Sequence, residues 1–154
     1  MRVVLDNRSG EDLCLSDYEL LADFVLQEEE VDPDSELSLS LVGKEEMQVL
    51  NRDYRGIDAP TDVLSFENDG ELLGDVIVCP AVAREHARDF DSDFVAEMSL
   101  MLVHGILHLL GYEHDSDPDA ECMEARENEL LESWNVLKET GHLTTFRIVE
   151  VQSD

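Results

Sequence analysis

The sequence predicts an α+β protein with a mixed sheet of four strands, or five if the C-terminal tail adds one, packed with helices. Three observations predict this class. Segments with the period-two alternation of strands are interspersed with segments of helical periodicity. The helical segment at 94–110 is apolar almost all round, so we expect it to be buried. No repeat or low-complexity linker divides the 154 residues, which indicates a single domain over 1–154.

The first predicted elements are a strand and a helix. Residues 2–6 form a short apolar run that is typical of a strand. Ser16 and Glu19 have the spacing of a capping box, which predicts that a helix begins there and continues to about Glu28. The acidic stretch 28–34 is interpreted as a solvated loop, the usual meaning of a run of charges.

The middle of the chain is predicted to hold strands with one short helix between them. Leucines alternate with polar residues over 37–41, as in a half-buried strand. A short helix follows, and glycine and proline then make 55–62 a loop. Strands are predicted at 63–67 and 73–79, and the second, nearly all apolar, should be central. The residues at helical spacing in the short helix are Met47, Leu50 and Tyr54.

The C-terminal third is predicted to be helical. After the buried helix at 94–110, Asp117 should cap a last helix, with Pro118 at its first position and Gly141 just past its end. The tail beyond Gly141 is the candidate for a fifth strand. The inward stripe of the last helix is predicted to consist of Met123, Leu130, Trp134 and Leu137.

Cysteine usage and hydropathy bear on the compartment. Cys14, Cys79 and Cys122 are odd in number and form no CxxC pair, which indicates a reduced intracellular set. The N-terminus lacks the apolar core of a signal peptide, and the uncharged run 98–112 is too short to span a bilayer. We therefore expect a cytoplasmic protein with no membrane partner.

The charge of the chain restricts its partners. Thirty-eight acidic residues against ten basic ones give a net charge of −28. Such a surface repels polyanions, which on its own argues against nucleic acid as a partner. The composition is equally compatible with a salt-rich or an acidic host proteome.

The segment HGILHLLGYEHD at 104–115 predicts a metal site. His104 and His108 are four residues apart, so on a helix their rings project from the same face. Gly111 can end that helix in a left-handed conformation and let the chain bring His114 to the same ion. Three imidazoles leave one coordination position for water, as in a catalytic zinc site. We expect one Zn²⁺ per chain, held by His104, His108 and His114.

The residue after the first histidine separates this segment from zinc proteases. The HxxxHxxGxxH spacing is that of metzincin proteases, which place a glutamate general base directly after the first histidine. Here that position is Gly105. The metal ligands of the protease motif are therefore present, but its general base is absent. Because a positioned base contributes about 10²- to 10⁴-fold in rate, efficient proteolysis is not expected.

Three blocks, in order, resemble the bacterial YbeY rRNA maturation factors. HGILHLLGYEHD is similar to the signature HGxLHLxGYDH of that family, with Glu113 in place of the more usual aspartate. LNRDYRGIDAPTDVLSF at 50–66 and LLGDVIVC at 72–79 resemble its two other signature blocks. The resemblance spans about residues 47–117 and leaves the first 35 residues and the tail without a recognisable motif.

This resemblance implies a zincin-like fold and a metal-dependent endoribonuclease specific for single strands. It implies a role in maturation of the small-subunit rRNA 3′ end and in ribosome quality control. The implied partners are rRNA, the small ribosomal subunit and an associated GTPase, without DNA or membrane. His104, His108 and His114 match the metal ligands of the family, and Arg55 matches an arginine of its active-site cleft.

The catalytic residues predicted in this way are Arg55 and His104. The metal would polarise a phosphodiester oxygen and lower the pKa of bound water or of the substrate's 2′-hydroxyl. Arg55 would steady the charge that develops on phosphorus, although an ion-paired surface arginine is the simpler reading of this residue alone. Glu113 and Asp115 are candidates for a general base or for hydrogen-bond partners of His114. The remaining polar residues near the motifs are assigned turn, cap or surface roles: Asp62, Ser65, His86 and His142.

A local concentration of arginines could reconcile RNA binding with the acidic body. Arg52 and Arg55 lie in one signature block, and Arg84 and Arg88 have i,i+4 spacing on a predicted helix. If the four share a face with the metal, weak and steeply salt-dependent RNA binding is expected. Two alternatives stay open: a metallopeptidase, and a non-catalytic ribosome-assembly factor whose structural metal is closed by a fourth ligand such as Cys79.

Overall fold

The computed structural model describes residues 2–68 and 72–140 and contains four strands and five helices in this part of the chain. The predicted fifth strand in the tail, together with Gly141, lies outside the described residues. The elements are β1 (Arg2–Arg8), α1 (Leu15–Glu28), β2 (Glu36–Val42), α2 (Lys44–Arg55), β3 (Val63–Glu67), β4 (Leu72–Val78), α3 (Pro80–Asp89), α4 (Phe94–Leu109) and α5 (Asp117–Thr140).

The strands form one mixed sheet in the order β1-β2-β4-β3. The pairs β1–β2 and β2–β4 are parallel, whereas β3 runs antiparallel to β4 at the edge. Strand β4 thus has a neighbour on each side, as its nearly continuous apolar sequence predicted. The α+β class with a mixed four-stranded sheet is confirmed.

The two faces of the sheet carry separate apolar clusters. Alternate β4 residues point in opposite directions, so Val76 and Val78 join the larger cluster, and Ile77 joins the smaller one. Helices α1, α4 and α5 contribute to the larger cluster, and α2 contributes Met47 to the smaller cluster on the other face. The ends of α2 and α4 therefore approach edge strand β3 from opposite sides.

Helix α4 is the central helix of the larger cluster. Most of its residues from Met98 to Leu109 are buried, as the apolar sequence predicted. It packs on β3 and β4 and is flanked by α1, α3 and α5. Within the described residues, no helix is long and apolar enough to cross a membrane.

Two predicted helix starts are wrong by one to two residues. Helix α1 begins at Leu15, so Ser16 lies inside its first turn and makes no capping hydrogen bond. Helix α5 is capped by Ser116, whose Oγ accepts a hydrogen bond from the Asp119 amide at 3.2 Å, and Asp117 is already helical. Several polar residues lie close together at each start, and sequence spacing does not decide which one adopts the non-helical cap conformation.

Candidate active site

A cleft of about 460 Å³ opens where the ends of α2 and α4 meet β3. One wall comes from the last turn of α2, the floor from β3 and the loop before it, and the other wall from α4 and the turn that follows. The lining residues are Tyr54, Arg55, residues 61–66, His104, Gly105, His108 and His114.

The three motif histidines converge in this cleft. His104 and His108 lie on the last two turns of α4, and His114 lies in the loop after it. The ring centroids of His104 and His114 are 5.6 Å apart, and those of His108 and His114 are 5.9 Å apart. His104 is half-buried and the other two rings are exposed.

The turn that returns His114 to the cleft depends on Gly111. Its φ of +105° lies in the left-handed region that side chains rarely adopt. The Gly111 amide donates to the His108 carbonyl at 3.1 Å, and the Tyr112 amide donates to the Leu107 carbonyl at 3.0 Å. This pair of bonds is the Schellman ending of a helix, and the predicted role of Gly111 is confirmed.

A largely buried carboxylate contacts the same turn from the side of the helices. The Tyr112 hydroxyl donates to Glu29 at 3.1 Å, and the Arg126 guanidinium donates to the other oxygen of Glu29 at 2.6 Å. The Glu29 side chain is only 13% exposed. Burial, and then the charge of Glu29, raise the pKa of Tyr112 above its ordinary value. The interpretation of the acidic stretch as a solvated loop is therefore wrong for Glu29, which ties α1, α5 and the histidine turn together.

His104 has a partner that the sequence reading missed. Its Nδ1 lies 3.2 Å from Oε1 of Glu127 on α5, and the Glu127 side chain is 10% exposed. An ionised carboxylate only accepts, so Nδ1 carries the proton and Nε2 keeps its lone pair. The hydrogen bond that His104 donates to Glu127, opposed by burial, raises the pKa of His104. The available signal was an acid within the apolar stripe of α5, between Met123 and Leu130.

The imidazole arrangement suits a divalent metal after small ring rotations. Within 2–68 and 72–140, no group of three or more His, Cys, Asp or Glu side chains already has the geometry of a formed metal site. Two imidazoles on one tetrahedral zinc have ring centroids about 5 Å apart, given Zn–N bonds of about 2.0–2.1 Å. The observed 5.6 and 5.9 Å are slightly wider. The exposed rings of His108 and His114 have room to close this difference, and three nitrogen donors fit zinc.

Gly105 is required by packing. A Cβ at this position would lie 2.7 Å from Cγ1 of Val76 and 2.8 Å from Cγ2 of Val63, well inside normal contact. Ser65 also holds β3 close to α4, because its Oγ donates to the Gly105 carbonyl at 2.7 Å. A glutamate cannot enter here without separating α4 from the sheet. The residue that distinguishes this motif from the protease motif is thus fixed by the close approach of α4 to β3 and β4.

The four arginines expected to form a basic cleft are not brought together. Only Arg55, the last residue of α2, lines the cleft, and it makes no ion pair with any described residue. Arg84 instead lies 4.1 Å over the ring of Phe94 and lines a separate pocket. Among cations with described side chains, the members of ion pairs are Arg8, Lys44, Arg52, Arg84, Arg88 and Arg126.

The other candidates take minor positions. Glu113 and Asp115 are exposed, do not line the cleft and make no hydrogen bond to a described histidine. Asp62 does line the cleft, and its Oδ1 accepts from the Val63 amide at 2.8 Å, the turn role expected for it.

Cys79 is fully buried in the smaller apolar cluster, where burial raises the pKa of its thiol, so it is not the fourth ligand. His86 is half-buried beside Phe90 rather than on the surface, and His142 lies outside the described residues.

The cleft of this α+β fold is lined by three histidines and one arginine. The model of the Endoribonuclease YbeY family matches residues 6–135. Endoribonuclease YbeY of Staphylococcus carnosus is 38% identical over 130 residues, which cover 77% of this chain and 85% of that protein. Endoribonuclease YbeY of Geobacillus thermodenitrificans is 42% identical over 117 residues, which cover 67% and 75%.

The solved structures give the same result for the fold. The solution structure of TM1509 from Thermotoga maritima matches with a TM-score of 0.60 and 31% identity, over 87% of this chain and 92% of that one. The chain belongs to the YbeY endoribonuclease family. Its activity class is therefore that of hydrolases that cleave phosphodiester bonds.

Proposed function

We propose that this endoribonuclease cleaves single-stranded RNA with one zinc ion held by His104, His108 and His114. The observation that carries the proposal is the convergence of three imidazoles, with centroids 5.6 and 5.9 Å apart, in a cleft that also contains Arg55. Nitrogen donors at one end and a guanidinium at the other suit a phosphodiester between them.

The chain's own groups have separate tasks in this mechanism. Bound zinc would supply Lewis acidity toward a phosphodiester oxygen and would lower the pKa of water or of a 2′-hydroxyl. Glu127 holds the His104 ring with Nδ1 protonated, so that Nε2 faces away from α5 as a ligand. Arg55 has no carboxylate partner among the described residues, so it is available to donate to the phosphate oxygens, where charge increases during cleavage.

The metallopeptidase alternative loses support from packing. The position of the protease's general base is Gly105, where even a Cβ would collide with Val63 and Val76. The cleft residues that remain are suited to binding a phosphate. We therefore propose a phosphodiester, rather than a peptide, as the substrate, and RNA rather than DNA because the family is one of endoribonucleases.

The cellular role is proposed from the resemblance of the three sequence blocks to the rRNA maturation factors. We propose maturation of rRNA at the 3′ end of the small-subunit RNA and ribosome quality control, with the small subunit and an associated GTPase as partners. An assembly factor that holds a structural metal is the competing proposal, and the net charge of −28 favours protein rather than RNA contacts.

Metal analysis and cleavage assays separate these proposals. The substrates are a single-stranded RNA, the same RNA as a duplex, and casein. The proteins are the wild type, His108→Ala, and His86→Ala as a half-buried histidine that does not line the cleft. We expect about one zinc per wild-type chain, cleavage of the single strand only, and loss of both metal and cleavage in His108→Ala alone. Cleavage of casein alone, or tight metal without turnover of any substrate, would overturn the proposal.

A further inference from the structure

Tyr54 is an aromatic residue left exposed at the mouth of the cleft. It is 67% exposed, and its hydroxyl makes no hydrogen bond within the described part of the chain. Its ring packs against Phe66 of β3, with centroids 4.9 Å apart and an interplanar angle of 58°. Both rings line the same cleft as the three histidines.

The position of Tyr54 in α2 explains how it comes to be exposed. Met47 and Asn51 of the same helix face are buried, and Tyr54 continues that face by one more turn. The smaller apolar cluster ends before this turn, so the ring extends over the cleft and keeps Phe66 as its neighbour. Its spacing with Met47 and Leu50 predicted the helix, and the structure places the large Tyr54 ring in contact with water.

We propose that Tyr54, supported by Phe66, is a stacking platform for an unpaired nucleobase of the RNA substrate. The proposal rests on the proposed function, because the platform adjoins the histidines and Arg55 in one cleft. A phosphate at Arg55 would place a neighbouring base near the adjacent residue, Tyr54. A base in a duplex is already stacked on both faces, so only an unpaired base can use the ring.

Stacking also accounts for RNA binding by an acidic chain. Arg55 is the cation that lines the cleft, and most described cations are already paired with carboxylates. The attraction between a base and an aromatic ring does not depend on a basic surface. Stacking on Tyr54 and Phe66 therefore contributes more to the RNA affinity of this cleft than phosphate contacts do.

Binding of a fluorescent RNA tests the platform without requiring turnover. The probe is a single-stranded RNA that contains 2-aminopurine, whose fluorescence falls when it stacks on a ring, added to the metal-free and the zinc-loaded protein. The variants are Tyr54→Phe, which keeps the ring, and Tyr54→Leu and Tyr54→Ala, which remove it from an exposed site. Phe90→Ala is the matched control, because Phe90 is 74% exposed and does not line the cleft.

We expect Tyr54→Leu and Tyr54→Ala to bind the RNA roughly tenfold more weakly, within the 5- to 150-fold range of base stacking, and to lose the quenching. Their KM for cleavage should rise with little change in kcat, because the interaction is made equally before and during reaction. Tyr54→Phe and Phe90→Ala should match the wild type.

The results distinguish failure of the platform from failure of the proposed function. Wild-type cleavage with unchanged KM and quenching in Tyr54→Leu and Tyr54→Ala would overturn the platform and leave the endoribonuclease proposal intact. A wild-type protein that neither binds nor cleaves the single strand would overturn the proposed function, and the platform with it.

Discussion

The two walls of the cleft are built in opposite ways. The histidine wall (His104, His108 and His114) is supported from behind by buried contacts, including the 3.2 Å hydrogen bond between His104 and Glu127. The aromatic wall (Tyr54 and Arg55) stands at the end of α2, where both side chains are exposed and Arg55 has no described ion pair.

This difference separates metal binding from contacts with the substrate. Metal ligands must be held in position to act together, and a carboxylate behind a ligand histidine fixes both its tautomer and its orientation. Side chains that stack on bases and donate to phosphates of a single strand must instead be accessible to the strand. Changes behind the histidine wall should therefore alter metal binding, and changes on the aromatic wall should alter binding or cleavage of RNA with the metal retained.

The largest expected effect on turnover is at Arg55. We predict that Arg55→Ala lowers kcat about 100-fold, because donors aimed at developing charge contribute about 10²- to 10³-fold. The zinc content should not change. The measurement is steady-state cleavage of single-stranded RNA together with metal analysis.

Arg52→Ala is the matched control for Arg55→Ala. Arg52 lies on the same last turn of α2, so both arginines are near the helix C-terminus, but Arg52 is paired with Asp53 and does not line the cleft. Equal losses in the two variants would assign Arg55 to helix stability and remove it from the active site.

The second largest effect is predicted on metal affinity. Glu127→Ala leaves His104 Nδ1 without its acceptor, and loss of such a partner lowers metal affinity about 10- to 100-fold. The zinc affinity of Glu127→Gln, which keeps an acceptor oxygen, should lie between those of Glu127→Ala and the wild type. Zinc dissociation constants from competition with a chelator provide the measurement, and exposed Glu124→Ala on the same helix is the control. Unchanged zinc affinity in Glu127→Ala would show that the histidine wall does not depend on this carboxylate.

A smaller effect is predicted on stability at Gly105. Gly105→Ala should cost about 1–3 kcal/mol in the free energy of unfolding, because the new Cβ meets stiff valine side chains on β3 and β4. The Tm would fall by several degrees in a chain of this size. In a Val63→Ala background the cost should shrink, since one of the two colliding methyl groups is gone. An equal cost in both backgrounds would locate the strain elsewhere.

The smallest effect concerns salt. If four arginines contacted phosphates, a plot of the logarithm of RNA affinity against the logarithm of salt concentration would have a slope of about −3. The single arginine in the cleft predicts a slope of about −0.7. The steep dependence expected from the sequence is therefore replaced by a shallow one. RNA binding titrated between low and physiological salt measures the slope, and a value near −3 would mean that further cations reach the RNA.

The sequence predicted elements and motif geometry well because both depend on local periodicity. The alternation over 37–41 and the apolar run at 94–110 gave β2 and α4 nearly to the residue. Gly111 was predicted in its turn, since a left-handed helix ending is a local property. The spacing of His104, His108 and His114 was enough to place them in one cleft.

Contacts between distant segments could not be predicted in this way. The Glu127–His104 bond spans 23 positions, and the Arg126–Glu29 bond spans 97. The direction of the Tyr54 ring depends on where the smaller apolar cluster ends, which is set by tertiary packing. Arg84 and Arg88 share a helix but pair with nearby carboxylates, because in so acidic a chain an unpaired arginine is the exception.

The central claim is that three histidines hold one metal ion in the cleft, and side-chain ¹H–¹⁵N NMR of the histidines tests it most directly. In the metal-free protein, His104 should carry its proton on Nδ1, as the bond to Glu127 requires. Addition of one equivalent of Zn²⁺ should then shift the ring nitrogens of His104, His108 and His114 together, leave His86 unchanged, and saturate at one ion per chain. A zinc titration that moved His86 instead, or that left any of the three cleft histidines unshifted at saturation, would contradict the account.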